Sequence, residues 1–221
     1  MERLGIVFAG GAGPDPGLLA RMVAAAGAES GGLLTAAADS GLLLAEAAGV
    51  RPDWIVGDMD SLGDEGRLRL AAYPEASILS FPEDKDNTDT EIALDVLWSN
   101  GCRDVWIVGG GGGRLAHLLG IRDLFERPRF PRRWITAAED VYCVDGDGMA
   151  MELEIGDLVS VFPLAEGPWR AESWGLKWPL SDTEWRRGSN GISNVAGERE
   201  VEIRSVRGRF MVVLEGICQQ L

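Results

Sequence analysis

Six apolar runs limit what this chain can fold into. They are Gly5–Ala9, Leu33–Ala38, Trp54–Val56, Ser77–Phe81, Val105–Val108 and Trp134–Ala137, and they are not built on strict polar–apolar alternation. Helical stretches separate them. Pro16–Ala26 has proline in its first turn and Gly27 at its end, and Leu42–Ala48 is stopped by Gly49. Gly63–Ala72, Thr88–Ser99 and Arg114–Phe125 follow. Apolar strands alternating with helices predict a parallel sheet covered by helices on both faces. Such sheets bind ligands beyond the carboxyl ends of their strands. Asp39, Asp58, Asp60, Lys85, Asp86 and the run Gly109–Gly113 all fall at those ends.

The texture changes at about Val141. Tyr142-Cys143-Val144 runs into Asp145-Gly146-Asp147-Gly148, which reads as a hairpin-type turn. Short strands follow at Met149–Ile155, Leu158–Phe162, Val201–Val206 and Phe210–Leu214, with Arg207-Gly208 as a turn between the last two. The pattern predicts a small antiparallel β domain over 141–221 after an α/β domain over 1–140. Residues 163–200 hold four of the eight tryptophans, Trp169, Trp174, Trp178 and Trp185, more than a small β core needs.

Composition narrows the function. The net charge of −14 argues against a nucleic-acid partner, which usually needs a basic footprint. No apolar run approaches the ~20 residues of a membrane span. The chain reaches Gly5-Ile6-Val7-Phe8 at once, so no secretory leader is expected. Cys102, Cys143 and Cys218 are scattered and odd in number, which suggests a reducing cytoplasm without a disulfide framework. His117 is the sole histidine, so a multi-histidine metal site is excluded.

Trp54-Ile55-Val56-Gly57-Asp58-Met59-Asp60-Ser61-Leu62 reads as a strand that delivers two carboxylates two positions apart, on one face if extended. Like charges that close raise each other's pKa unless a cation lies between them. Oxygen-only donors suit Mg2+ before zinc. A plain polar turn explains the same residues. The stretch Pro82–Glu91 opens a helix, where Thr88 and Glu91 have capping-box spacing and acids suit the macrodipole. Capping leaves Lys85 and Asp86 unexplained. A lysine there can hold a phosphate while the acids hold a metal. Gly109–Gly113 and Arg114 lead into a helix as an anion site would, or form a flexible loop. The run lacks the Walker ending, and Gly10-Gly11-Ala12-Gly13 lacks dinucleotide-fingerprint spacing.

Six ordered segments together resemble the thiamine pyrophosphokinase family. They are Ala38-Asp39-Ser40-Gly41, Pro52–Ser61, Lys85-Asp86-Asn87-Thr88-Asp89, Gly112-Gly113-Arg114-Leu115-Ala116-His117, Gly175-Leu176-Lys177-Trp178-Pro179-Leu180 and Gly191-Ile192-Ser193-Asn194. The resemblance implies an α/β ATP-binding domain followed by a thiamine-binding β-sandwich. It implies transfer of pyrophosphate from ATP to the thiamine hydroxyl with Mg2+, releasing AMP, by a cytoplasmic homodimer that holds thiamine near the subunit interface. It makes Asp58, Asp60, Asp86 and Asp89 the catalytic and metal-binding acids. Asp39, Ser61, Lys85, Thr88, Gly112, Gly113, Arg114 and His117 become nucleotide-binding. Trp178, Ser193 and Asn194 become thiamine-binding, with a tryptophan stacked on a ring of the substrate.

The chain departs from the family pattern at two places. Ala116 stands where the family has aspartate before the histidine, and Ile121 stands where it usually has asparagine. Two other readings follow: a related pyrophosphokinase for a hydroxymethylpterin-like alcohol, and a thiamine or nucleotide binder with impaired catalysis.

Overall fold

A computed structural model describes residues 2–59, 62–81, 86–146 and 148–216. The chain divides into two units. The first takes the chain up to Leu124 together with Trp134–Ala137; the second takes Phe125–Arg133 and the chain from Ala138.

The first unit alternates strands and helices: β1 (Leu4–Ala9), α1 (Pro16–Glu29), β2 (Leu33–Ala38), α2 (Gly41–Ala47), β3 (Trp54–Gly57), α3 (Gly63–Leu70), β4 (Ile78–Ser80), α4 (Asp89–Ser99), β5 (Asp104–Gly109), α5 (Leu115–Leu124) and β6 (Arg133–Ile135). The strand order is β6-β5-β1-β2-β3-β4. β1 pairs in parallel with both β2 and β5, and β2–β3 and β3–β4 are also parallel. Every residue of β1 is buried, which requires cover on both faces and accounts for its unbroken apolar sequence. α2 and α4 pack against β1 and β2. Register decides where the strands end together. Ala9 pairs with both Ala38 and Gly109, and Ala38 pairs with Val56. Gly10, Asp39, Gly57 and Gly110 therefore leave the sheet along one edge.

Helix boundaries follow their caps. Asp15 accepts hydrogen bonds from the amides of Gly17 and Leu18 and starts α1 ahead of Pro16. Gly27 does not end α1; the helix continues to Glu29, and Ser30 closes it through a bond to the Ala26 carbonyl. Thr88 and Glu91 form the expected capping box on α4.

The second unit contains β7 (Glu139–Asp145), β8 (Gly148–Glu152), β9 (Leu158–Leu164), β10 (Arg170–Trp174), β11 (Gly191–Val195), β12 (Glu200–Arg207) and β13 (Arg209–Glu215). One antiparallel set runs β11-β9-β13-β7 and the other β10-β12-β8. Their inner faces meet in a core of Val144, Val159, Val161, Phe210 and Val212 from the first set and Ala171, Val201 and Ile203 from the second. This is the antiparallel sandwich expected for the C-terminal part. β7 and β8, on either side of the expected hairpin turn, do not pair as a hairpin: β7 pairs with β13 while β8 pairs with β12, and Asp147 lies outside the described residues. Arg207 and Gly208 likewise lead from one sheet to the other. β10 and β11 arise where the sequence shows loops, because burial of Ala171 and Asn194 outweighs weak local propensity. Among the described residues, no helix is long and apolar enough to cross a membrane.

Candidate active site

Asp39 stands at the carboxyl end of β2 in a left-handed conformation, φ 45°. A non-glycine residue in this region is uncommon and strained. Two backbone bonds hold it there: its amide donates to the Val56 carbonyl at 2.9 Å, and its own carbonyl accepts from Leu42 at 3.0 Å. One carboxylate oxygen accepts from the Met59 amide at 3.3 Å, and Met59 is itself left-handed, φ 66°. The turn after β3 is thus built around Asp39. Gly57 makes the approach possible, since it has φ 148° and a Cβ there would lie 1.8 Å from Asp39 Oδ1.

Asp89 and Asp58 both act on the Asp39 carboxyl at this edge. Burial pushes the Asp39 pKa up to about 7. A hydrogen bond to the Asp89 side chain and the Asp89 charge push the same way, as does the Asp58 charge, while the Met59 amide opposes them. In the protonated form the Asp39 carboxyl donates to Asp89. Asp58, Asp60, Asp86 and Asp89 were expected to form one acidic group. The structure brings Asp58 and Asp89 together through Asp39, a residue the sequence placed with the nucleotide. Asp86 is exposed on the turn before α4. Asp60, Ser61 and Lys85 lie outside the described residues.

Thr88 was a nucleotide-binding candidate, but the structure gives it a local task. Its hydroxyl accepts from the Glu91 amide at 3.3 Å, and its amide donates to Glu91 Oε2 at 2.6 Å. Capping therefore uses Thr88 and Glu91 and leaves Asp89, the first residue of α4, turned toward Asp39.

The Gly109–Gly113 run is not a free loop. The Ala12 amide donates to the Gly111 carbonyl at 2.7 Å, and the Gly111 amide donates back to Ala12 at 3.1 Å. The two glycine stretches that follow β1 and β5 thus close on each other. A Cβ on Gly111 would meet Ala12 O at 2.8 Å and Thr136 Cβ at 2.9 Å. Ile121 is buried beneath the run, with its Cδ1 2.4 Å from where a Gly110 Cβ would be. Gly112, Gly113 and Arg114 are exposed at the start of α5. Arg114 Nη2 lies 2.6 Å from His117 Nε2. Arginine only donates, so this contact needs His117 Nε2 as its acceptor. Bare amides, a helix N-terminus and an exposed guanidinium can together receive an anion.

In the second unit Trp178 is 53% exposed and Asn194 only 5%. Asn194 was expected to face substrate. Its amide instead grips the Trp178 peptide from both sides: Oδ1 accepts from Trp178 N at 3.2 Å, and Nδ2 donates to Trp178 O at 2.6 Å. Asn194 positions Trp178. Ser193 is exposed and left-handed, φ 59°, with its amide donating to Ser160 Oγ at 3.0 Å.

Among the described residues, no group of three or more His, Cys, Asp or Glu side chains is arranged to hold a metal unaided. The donors present still fit Mg2+, which commonly takes one or two carboxylates and completes its shell with phosphate oxygens and water. Crowded acids, one with its pKa raised to about 7, are the arrangement that a divalent cation relieves.

The first unit is an α/β fold carrying acids and a glycine loop at the carboxyl ends of its strands, and the second is a β-sandwich carrying an exposed tryptophan. The family model described as thiamin pyrophosphokinase, catalytic domain, matches residues 31–136. The model described as thiamin pyrophosphokinase, vitamin B1 binding domain, matches residues 149–210. The chain belongs to the thiamin pyrophosphokinase family. Asp39, Asp58, Asp89 and Gly109–Gly113 fall in the first match; Trp178, Ser193 and Asn194 fall in the second. The chain is similar to the thiamine pyrophosphokinase of Bacillus subtilis, with 25% identity, TM-score 0.76, and coverage of 97% of this chain and 99% of that one. It is similar to the Geobacillus thermodenitrificans protein, with 25% identity, TM-score 0.71, and coverage of 96% and 97%. It shares its fold with the thiamin pyrophosphokinase of Candida albicans, with 14% identity, TM-score 0.71, and coverage of 97% and 89%. The comparison with curated proteins finds no match.

Proposed function

We propose that this chain transfers the terminal pyrophosphoryl group of ATP to the hydroxyl of thiamine, giving thiamine diphosphate and AMP. The observation that carries this reading is the side-chain hydrogen bond between Asp39 and Asp89, with the Asp58 charge acting on the same carboxyl, at the sheet edge from which the paired glycine loops also leave. In this reading the exposed amides of Gly112 and Gly113 and the Arg114 guanidinium receive phosphate oxygens. One or two of the acids Asp58, Asp60, Asp86 and Asp89 would hold Mg2+, with phosphate oxygens and water completing its shell. When bound, the ion neutralises phosphate charge and fixes the triphosphate for in-line attack. The chain's own contribution is alignment. The thiamine hydroxyl oxygen bonds to the β-phosphorus, the bond from that phosphorus to the oxygen of the AMP leaving group breaks, and the hydroxyl proton passes to a carboxylate. Trp178 stacks on a ring of thiamine, and Ser193 is the polar neighbour.

The test is purified protein with Mg2+, ATP and thiamine, following AMP and thiamine diphosphate together. Equimolar appearance of both is expected. ADP with thiamine monophosphate, or no AMP above a protein-free control, overturns the reading. A hydroxymethylpterin in the same assay separates the rival substrate. Sedimentation of the active species checks for the homodimer.

A further inference from the structure

Lys85 and Lys177 are the only lysines in the sequence; the other 19 of its 21 basic residues are arginine. Lys177 directs its ammonium at the face of the neighbouring Trp178, with Nζ 4.4 Å from the ring centre. That distance is a cation–π contact. The backbone beneath it is fixed. The Lys177 amide donates to the Val195 carbonyl at 2.8 Å, and the Trp178 peptide is gripped at both ends by Asn194. The ring itself is 53% exposed. The protein therefore presents an exposed aromatic ring on a hydrogen-bonded backbone, with one of its own cations over its face.

We propose that Lys177 is a displaceable placeholder on Trp178, covering the ring face until a cationic aromatic ligand, the thiazolium of thiamine, takes its place. This rests on the reading of Trp178 as the stacking residue. A ring face accommodates one cation closely, so on the face that Lys177 covers ammonium and thiazolium exclude each other. The choice of lysine fits a group that must leave. A guanidinium is planar, weakly hydrated and stacks flat, whereas an ammonium is compact and strongly hydrated on a flexible stem, and so returns readily to water. In a chain that uses arginine almost everywhere else, this position carries the more easily released cation. Lys177 thereby sets affinity and selectivity: a ligand must outcompete a tethered charge to reach the ring.

Two measurements test this. In the first, the lysines are dimethylated with 13C, which preserves their charge and leaves few signals to assign. The Lys177 methyl signal is expected upfield in the ligand-free protein because of the Trp178 ring current. It should move to its solvent position in Trp178→Leu, and likewise when thiamine saturates the wild type. An unshifted signal in the free protein, or one still shifted at saturation, overturns the proposal. In the second, thiamine affinity is measured by calorimetry. Lys177→Met should bind about two- to fivefold tighter, the factor an exposed cation–π contact is worth. Lys177→Arg should bind more weakly than wild type, and Lys177→Met should have no effect in the Trp178→Leu background. Trp178→Leu alone separates the two ideas. If it binds thiamine like wild type, the stacking reading fails. If it loses affinity while Lys177→Met and Lys177→Arg leave affinity unchanged, the placeholder fails and stacking stands.

Discussion

Gly57 and Asp39 compete for one volume: a side-chain carbon on the glycine would lie 1.8 Å from the Asp39 carboxylate oxygen. Gly57→Ala must either drive Asp39 away from the Met59 amide or break the β2–β3 edge, and it also forces alanine to φ 148°. We expect a loss of about 2–3 kcal/mol in urea unfolding, with activity falling further than stability explains.

Asp39 also dictates a pH dependence. Its folded pKa of about 7 lies above the ordinary value of 3.8, so between those values the folded chain holds a proton that the unfolded chain has released. The stability this contributes is complete below about pH 4 and is lost as pH rises through 7. Asp39→Asn should therefore be more stable than wild type at pH 8, by on the order of 1 kcal/mol for a half-buried, partly screened site, and equal to it at pH 4. Turnover should nevertheless fall sharply. Thermal melts across pH 4–8 check the first part and AMP release the second.

Metal and nucleotide should act together. A site of one or two carboxylates that needs phosphate oxygens to complete the shell predicts a small rise in Tm with Mg2+ alone and a large one with Mg2+ and ATP. Chelation with EDTA should abolish AMP release, and added Mg2+ should restore it. Equal shifts with and without Mg2+ would show that the acids do not hold the ion.

Asn194→Ala removes the grip on Trp178 and leaves part-buried peptide groups without this partner. A cost of about 1–3 kcal/mol in unfolding free energy is expected. Thiamine affinity should fall even at temperatures where the variant is fully folded, because the ring is no longer held in one place. Unchanged affinity in folded Asn194→Ala would mean that Trp178 needs no such support.

Ala116 is exposed in the first turn of α5. An aspartate there suits the helix dipole, so Ala116→Asp should be neutral to about 1 kcal/mol stabilising. If the missing family carboxylate limits this chain, turnover rises in the same variant. Stabilisation with unchanged turnover would show that the remaining acids suffice.

The sequence revealed the first unit more fully than the second. Strands buried on both faces are apolar throughout, so β1, β2 and β5 stand out without any knowledge of their partners. Thr88 and Glu91 announced α4 because a capping box is local. Strands β10 and β11 did not stand out, since their pairing with distant strands decides them. Gly27 read as a helix end because glycine propensity is local, whereas α1 continues through it. The acids were legible as strand-end residues. Their common focus on Asp39 was not, because it depends on the left-handed turns at Asp39 and Met59 and on the empty space at Gly57. Asn194 was named through the family resemblance; its bonds to the Trp178 backbone depend on burial that the sequence alone does not display.

β7 and β8 belong to different sheets, as do β12 and β13, and this sets an order of events during synthesis. Met151 waits for Val201, Val144 for Phe210 and Val161 for Val212. A ribosome paused before these late partners emerge holds a chain whose C-terminal apolar strands lack most of their neighbours. Assembly that depends on such distant pairings is slow. Shortening the C-terminus into β13 should therefore yield aggregates rather than a smaller folded protein.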